Sequence, residues 1–508
     1  MYIGVRYFVI EAKYPDAESV VNTTDRYKKQ QGNGNVVTST EDVAIDFSFL
    51  TNGCKPKLSE KRQKLTKKDV IAMLAITIVY AAIALFNLGD MDAPQTYWET
   101  GEQAQDTCLT FDFSNSAAYP TKFAFYNGRY ETRDFYLEES ADNVNWTPVA
   151  VNEHDSAWGE DASIFRMNSV FCWGNFTFTQ TQPYLRFRLI SDCAVVNEVQ
   201  FFDASGNAVL PNNSQDYVNL FDEGEKYPEI STFRDSTYFD EIYHGRTGYE
   251  MTLGVYNYEW THPPLGKFII SIGIRLFGMC PFGWRIMGTL FGIAMLPLLY
   301  LFSKKLLRET WIATLATILF AADFMHFAQT RIATIDVFVT FFVILMYYFM
   351  YQYTRMSFYD KPLKKTFVPL LFCGISMGLG CACKWPGVYA GIGLGIIFFV
   401  TMARRYLEYR YAGLNPKGET DGVKHEVIIQ KFKGNLLKTL GFCCIAFVLI
   451  PGIIYTLSYI PFNNGQDMGL VQRMLKNQTD MFGYHSDLVA THSFSSWWFE
   501  WPTIKRPI

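Results

Sequence analysis

Apolar runs punctuate this chain at 70–88, 284–302, 311–325, 337–350, 367–383, 388–402 and 437–460. The first has about the ~20 residues needed to cross a bilayer core. Several others fall short, as helices with polar ends do inside a bundle. A further run, 268–277, follows Pro263-Pro264 and Lys267 and is interrupted by Arg275. It is expected to lie at the membrane interface rather than to span. Between the first two runs the pattern changes from blocks to alternation, in Phe135-Tyr136-Leu137-Glu138, Tyr184-Leu185-Arg186-Phe187-Arg188-Leu189 and Glu198-Val199-Gln200-Phe201-Phe202. A period of two predicts strands. Turn clusters such as Asp142-Asn143-Val144-Asn145 and Ala204-Ser205-Gly206-Asn207 separate them. The pattern predicts a mainly α, polytopic membrane protein of about seven spans, carrying an antiparallel β-sandwich inserted over 98–222. Residues 1–54 offer one strand-like stretch at 5–12 and a polar remainder.

Charge orients these elements. Residues 55–68 carry Lys55, Lys57, Lys61, Arg62, Lys64, Lys67 and Lys68 against Glu60 alone, whereas 89–230 carries 23 Asp/Glu against seven Lys/Arg. With the basic segment inside, the following spans bring Lys304, Lys305 and Arg308, then Arg355, Lys361, Lys364 and Lys365, then Arg404, Arg405 and Arg410 to the same side, as the positive-inside rule asks. Counting 268–277 as a span would break that agreement. The acidic insert, Asp240, Glu241, His262, Asp323, His326, Arg331, Asp336, Lys384 and 461–508 then share the outer face. Ionisable residues collected near a membrane are functional candidates.

Composition narrows the function classes. The chain has 508 residues, 49% apolar and 17% aromatic, with a formal net charge of −4. A nucleic-acid binder would show a basic domain or patch, so that class is excluded. Cys381, Cys383, Cys443 and Cys444 lie in apolar runs, where thiols behave as small hydrophobes. Cys108, Cys172 and Cys193 fall in the insert, where three cysteines allow one disulfide and leave one thiol over. No metal-ligand spacing is apparent, and no cofactor is required. Met1 to Tyr14 lacks the charged start and apolar core of a signal peptide, so the first apolar helix is expected to insert the chain.

The chemistry concentrates between Asp240-Glu241 and His262-Pro263-Pro264-Leu265-Gly266-Lys267. Moving a sugar from a lipid phosphate to a hydroxyl needs a carboxylate to take the hydroxyl proton and cations to steady the departing phosphate. Asp240 or Glu241 meets the first need; Arg285, Arg331 and Lys384 meet the second. His262 is a candidate for holding the Pro-Pro turn or touching substrate. His244, four residues after Asp240, shares its face if the segment is helical. Asp336 is expected to pair with Arg331, and Trp497, Trp498 and Trp501 to form an interfacial aromatic belt.

Phe239-Asp240-Glu241, His262-Pro263-Pro264-Leu265-Gly266-Lys267, Phe282-Gly283-Trp284-Arg285, Arg331-Ile332-Ala333-Thr334-Ile335-Asp336, Cys383-Lys384-Trp385-Pro386-Gly387 and His492 to Pro502 resemble, in order, the protein O-mannosyltransferases of glycosyltransferase family 39. The resemblance implies a GT-C membrane fold, a polyprenyl-phosphate-mannose donor, Ser or Thr of a protein as acceptor, and inversion at the anomeric carbon. It implies Asp240 as base, Glu241 as a positioning or binding partner, and a site role for Arg285, with His244 a minor site candidate. Residues 139–146 with the strands over 184–202 resemble discoidin or galactose-binding-like modules, which implies a carbohydrate as ligand of the sandwich.

The expected layout is a cytoplasmic segment over 1–68, a first transmembrane helix over 69–89, an extracytoplasmic sandwich over 98–222, a GT-C domain over 235–460 and an extracytoplasmic loop over 461–508. The whole is expected to be a multi-pass plasma-membrane protein with its catalytic face outside. Family 39 enzymes continue with further spans beyond the motif at 492–502, so the sequence reads as a piece of a longer enzyme. Two other readings stay open. One is a GT-C transferase moving another lipid-linked sugar, or acting on a lipid or polysaccharide. The other is a non-catalytic membrane protein that binds glycans.

Overall fold

The computed structural model describes residues 52–61, 63–130, 133–152, 161–167, 169–228, 230–489, 496–497 and 499–500. The strand-like stretch at 5–12, and 492–495, 498 and 501–502 of the last motif, lie outside them, Trp498 and Trp501 included. The helices in chain order are α1 Lys67–Leu85, α2 Glu241–Leu253, α3 Leu265–Phe277, α4 Pro281–Leu307, α5 Thr310–Ala321, α6 Phe324–Gln329, α7 Asp336–Thr354, α8 Leu363–Cys383, α9 Pro386–Leu414, α10 His425–Ser458 and α11 Leu470–Asp487. Among the described residues α1, α4, α7, α8, α9 and α10 are long and apolar enough to cross a membrane. The chain is a mostly helical integral membrane protein.

One expected span is shorter than its apolar run. In place of 311–325, α5 has 12 residues, about 18 Å of helix against a core of about 30 Å. The helix stops because Asp323 starts the next one: its carboxylate accepts from the backbone N–H of His326 at 2.8 Å, which makes it the N-cap of α6. The run 268–277 becomes α3, 13 residues long and likewise below spanning length. Local chemistry fixes the other boundaries. Thr66 and Asp69 form a reciprocal capping box at the start of α1, and Pro281 opens α4 behind an N-cap at Cys280.

The chain divides into two compact units. One comprises Met1–Arg62, Leu345–Ser376 and Tyr389–Pro451. Within it Glu408, fully buried, takes Arg405 at 2.8 Å and the backbone N–H of Lys57 at 3.1 Å. Ser59 donates to Asp360 at 2.9 Å. The other unit comprises Gln63–Ile344, Met377–Val388 and Gly452–Ile508 and contains every sequence-expected site residue.

The alternating insert in that second unit forms two antiparallel five-stranded sheets. Its strands are β1 Trp98–Glu99, β2 Cys108–Asp112, β3 Lys122–Asn127, β4 Arg133–Ser140, β5 Thr147–Pro148, β6 Ile164–Met167, β7 Cys172–Thr177, β8 Tyr184–Leu189, β9 Val195–Phe202 and β10 Ala208–Val209. One sheet runs β1-β9-β3-β7 with β10 on β9; the other runs β2-β8-β4-β5 with β6 on β4. In β8, Leu185, Phe187 and Leu189 are buried while Tyr184, Arg186 and Arg188 are not. Such alternation is what a sheet with one covered face requires. The core is a nest of aromatic rings, among them Phe111, Phe123, Phe135, Phe165, Phe187 and Phe201. Phe135 and Phe165 stack at 5.2 Å, and Phe123 and Phe187 approach to 4.8 Å. All ten cysteines are free, so the disulfide allowed by Cys108, Cys172 and Cys193 is not formed.

Candidate active site

Helix α2 starts at the acidic pair, and the turn before it separates the two carboxylates. Phe239 sits at φ 53°, a left-handed conformation that costs a non-glycine residue roughly 1–2 kcal/mol. Asp240 takes the N-cap position. Glu241 is fully buried. Its two oxygens receive Arg285 Nε at 2.7 Å and Nη2 at 2.6 Å, with the backbone N–H of Tyr238 and of Ala333 at 2.9 Å each. One carboxylate therefore joins the turn, α2, α4 and the loop before α7. A buried pair is secure only when its remaining hydrogen-bonding capacity is also met, and here it is. Arg285 donates its other bonds to the carbonyls of Leu88 and Ser236 at 3.1 Å each. Among the described residues four of its five N–H donors are engaged and one on Nη1 is left over, so the guanidinium serves Glu241 and the turn rather than a phosphate.

Asp240 is the opposite case. Its backbone carbonyl accepts from the N–H of His244 at 2.9 Å, while its carboxylate has no hydrogen bond or ion pair among the described residues. It is half-buried. Burial raises its carboxyl above the ordinary aspartate value; Lys384 and His262 pull it back, and Asp336 and Glu259 add to the rise. That field brings Asp240, Lys384, Asp336, His262 and Glu259 into one neighbourhood. Lys384 donates to both oxygens of Asp336 at 2.9 Å. The expected Asp336–Arg331 pair is therefore not formed. Arg331 instead donates to the carbonyls of Phe86 and Asn87, at 2.7 and 2.8 Å, and lies over the Phe327 ring. Arg331 ends a helix turn by satisfying exposed carbonyls, and the cation nearer Asp240 is Lys384.

The His-Pro-Pro segment is held by a carboxylate that the sequence reading did not single out. Glu259, 7% exposed, accepts from His262 Nδ1 at 2.9 Å, from Thr261 Oγ1 and from Lys267 Nζ. Lys267, with no exposed surface, also donates to the carbonyls of Glu259 and His262 at 2.7 and 2.9 Å, which uses its three protons. Burial opposes the charge on Glu259, and the Lys267 ammonium outweighs it, holding the carboxyl well below its usual value. The one sequence signal was positional: a lone glutamate in the aromatic run Tyr256 to Trp260, three residues before His262.

His262 meets His244 at 6.0 Å between ring centroids and His485 at 5.6 Å, and Trp385 lies 5.8 Å from His485. His244 shares a helical turn with Asp240, as the spacing predicted. It is 3% exposed, burial pushes its imidazole down to about 3, and Nδ1 has no partner among the described residues. A neutral imidazole brings no charge to a phosphate. Among the described residues no group of three or more His, Cys, Asp or Glu is placed to hold a metal ion.

Fold and site together define an integral membrane protein with one unpaired carboxylate beside a lysine, framed by buried ion pairs. Comparison with known proteins supplies a narrower likeness. Residues 279–461 match the family described as dolichyl-phosphate-mannose-protein mannosyltransferase. Arg285, Arg331 and Lys384 fall inside that range, whereas Asp240, Glu241, His244 and His262 precede it. The chain is 27% identical over 285 residues to the polyprenol-phosphate-mannose–protein mannosyltransferase of Mycolicibacterium smegmatis (strain MKD8), covering 49% of this chain and 52% of that protein. To the protein of the same name from Mycobacterium tuberculosis (strain CDC 1551 / Oshkosh) it is 25% identical over 292 residues, covering 49% and 51%. The solved S. cerevisiae protein O-mannosyltransferase Pmt1–Pmt2 complex bound to the sugar donor overlaps 44% of this chain and 29% of its own, at 18% identity and a TM-score of 0.35. The chain spans about half the length of the curated relatives it matches.

Proposed function

We propose that this chain carries the catalytic centre of a protein O-mannosyltransferase. It transfers mannose from a polyprenyl-phosphate-mannose donor to Ser or Thr hydroxyls of proteins at the outer face of the membrane. The observation that carries the reading is the unequal pair: Glu241 is locked to Arg285, while Asp240 next to it is unpaired and made more basic by burial. A general base needs to be free, within reach of solvent, and no weaker than an ordinary carboxylate. The names of the relatives supply the sugar, the carrier and the acceptor class.

In this reading the acceptor oxygen attacks the anomeric carbon as Asp240 removes its proton. The bond from that carbon to the phosphate oxygen breaks with inversion, and the polyprenyl phosphate leaves with the electron pair. Lys384 neutralises the charge that develops on the phosphate, and Asp336 orients Lys384 until donor arrives. Glu241 and Arg285 are positioning residues, which hold the turn that presents Asp240. Glu259 orients His262 through Nδ1, leaving Nε2 for substrate. Lys64, Lys67 and Lys68 at the start of α1 and Lys304, Lys305 and Arg308 at the end of α4 lie at the opposite helix ends from Leu88 and Arg285, which meet beside Glu241, and this supports the outer placement.

Membranes containing this chain, supplied with polyprenyl-phosphate-mannose and a Ser/Thr-rich peptide, test the reading. Mannosyl-peptide is expected with the wild type and lost with Asp240→Asn. Equal transfer by the two would remove Asp240 as base. Transfer of another sugar in preference to mannose would leave the site but change the substrate.

A further inference from the structure

A cavity in the unit that holds the candidate site bears no part of the acidic pair. It holds about 800 Å³ and is walled by apolar side chains from α2, α3, the end of α10 and the turn after it, including Met251, Phe268, Leu457 and Ile460. Its size falls in the range of small-molecule sites. Two arginines also line it, Arg275 from α3 and Arg473 from α11. Arg473 donates to the carbonyls of Phe462 and Met468 at 2.8 and 3.3 Å, and its Nε is buried without a partner. Arg275 reaches only the carbonyl of Met251, at 3.4 Å. Among the described residues neither arginine pairs with a carboxylate. Arg275 is exposed and Arg473 half-buried, so the cavity presents positive charge beside its apolar wall, a combination complementary to an anion that carries an apolar chain.

We infer that this cavity binds an anionic phospholipid of the surrounding membrane, with its phosphate on Arg275 and Arg473 and an acyl chain along the apolar wall. Water satisfies the arginines but not the wall, and a neutral lipid satisfies the wall but not the arginines. A lipid with net negative charge satisfies both, and guanidinium forks suit phosphate oxygens. Exposed neighbours continue the apolar wall outward: Leu276 is 69% exposed and Ile460 63%. The sugar donor is a poor occupant on geometric grounds. Its phosphate has to reach Asp240, at the opposite end of α2 from Met251, and eleven residues of helix separate the two by about 16 Å. The cavity is thus a lipid site apart from the reaction centre, and it clamps α3 to α11.

The test uses the full chain purified in mild detergent, with its unfolding midpoint measured against added lipid. Phosphatidylglycerol is expected to raise the midpoint saturably and phosphatidylcholine and inorganic phosphate to leave it unchanged, whereas a polyprenyl phosphate, the leaving group of the proposed reaction, is expected to raise it equally in the wild type and in Arg275→Gln. Arg275→Gln should weaken the phosphatidylglycerol effect about tenfold in concentration, and the double variant with Arg473→Gln should abolish it. Asp240→Asn should retain it in full. Equal shifts with phosphatidylglycerol and phosphatidylcholine would overturn the inference. So would a shift produced by inorganic phosphate alone, a phosphatidylglycerol effect untouched by Arg275→Gln, or a larger Arg275-dependent shift with polyprenyl phosphate. Should the double variant fail to fold, Arg275→Gln alone decides, because that side chain makes just one long hydrogen bond.

Discussion

The sandwich and the segment from Phe239 to Arg285 bury different things. The sandwich buries rings: its core is apolar on both inner faces. Its charged residues mostly stand nearer the surface, as where Asp134 meets Arg166 across β4 and β6. The segment buries charge. Glu241, His244, Arg246, Glu250, Glu259, Lys267 and Arg285 are all at most 7% exposed, and carboxylates meet cations in the pairs Glu241–Arg285, Glu250–Arg246 and Glu259–Lys267. Apolar packing gives stability that degrades gradually with lost volume. Buried ion pairs add little net stability and fail abruptly when one partner goes. A segment built that way fixes direction, and here the direction fixed is that of Asp240.

The sharpest way to break this comparison is to alter the one carboxylate that the pairs leave free. Asp240→Asn is expected to lower transfer by about 10²–10⁴-fold, the range for loss of a positioned base. The unfolding midpoint should stay at its wild-type value, because the carboxylate has no partner to lose. The wild-type rate should also fall on the acid side, as Asp240 gains its proton, with a midpoint above the ordinary aspartate value of 3.8. A rate independent of pH from 4 to 7 would contradict that assignment.

Removing one partner of the buried pair is the next largest change. Arg285→Leu leaves Glu241 charged, fully buried and facing two backbone amides. It should destabilise the chain by about 3–5 kcal/mol, read as a lower midpoint in detergent. Glu241→Gln with Arg285→Leu should recover part of that loss. In the sandwich, Phe123→Ala should cost about 3–5 kcal/mol as well, yet leave transfer per folded molecule unchanged. If Phe123→Ala and Arg285→Leu lower transfer per folded molecule equally, the two regions do not divide stability from direction as described.

What could be read in advance follows the same division. The strands were legible because alternation in Tyr184 to Leu189 is a local property, set by the two faces of a sheet. Six helices long and apolar enough to cross a membrane were legible because apolar length is local too. The end of α5 was not, since it turns on Asp323 capping α6, a single hydrogen bond inside an apolar run. Asp240 and Glu241 stood out as a pair, but nothing in two adjacent acids says which one is locked. That depends on Arg285, 44 residues on, and on the Ala333 amide, 92 residues on. Glu259 was invisible for the same reason: its role exists only once Lys267 and His262 fold onto it. Asp336 was assigned to Arg331, the nearer residue in sequence, whereas the fold gives it Lys384.

Glu198 in β9 is a fully buried acid of the sandwich with no ion-pair partner among the described residues, and so sharpens the division. It accepts the backbone N–H of Glu223 at 3.2 Å, and its Oε1 has no partner among the described residues. Burial, then the carboxylates of Asp222, Glu223 and Glu225, raise it from 4.5 to about 8. The folded value lies above the unfolded one, so folding favours the protonated form. The associated stability is fully present below pH 4.5 and is lost as pH rises through about 8. At about 1.36 kcal/mol per unit the loss is on the order of 5 kcal/mol. Glu198→Gln should therefore match the wild type near pH 5 and exceed its midpoint at pH 9. An unchanged difference between those two pH values would mean that Glu198 does not carry the shift.

The smallest effect tests the turn itself. Phe239 holds φ 53°, and glycine at that position relieves the roughly 1–2 kcal/mol of left-handed strain. Glycine also widens the unfolded ensemble, which takes back about 0.5–1 kcal/mol. Phe239→Gly should then shift stability by under about 1 kcal/mol, barely visible in the midpoint. Transfer responds to a different quantity. The strained turn is what sends Glu241 inward to Arg285 and leaves Asp240 outside, and a looser turn spreads Asp240 over several orientations. Misplacement of a reacting group by about 1 Å can cost up to 10²-fold, so a drop of about three- to tenfold is expected with stability intact. Phe239→Asn separates geometry from the loss of the ring, since asparagine tolerates the left-handed region. Full transfer by Phe239→Asn together with reduced transfer by Phe239→Gly assigns the effect to backbone restraint. Equal loss in both would assign it instead to the half-exposed phenyl ring, and the turn would then have no part in aiming Asp240.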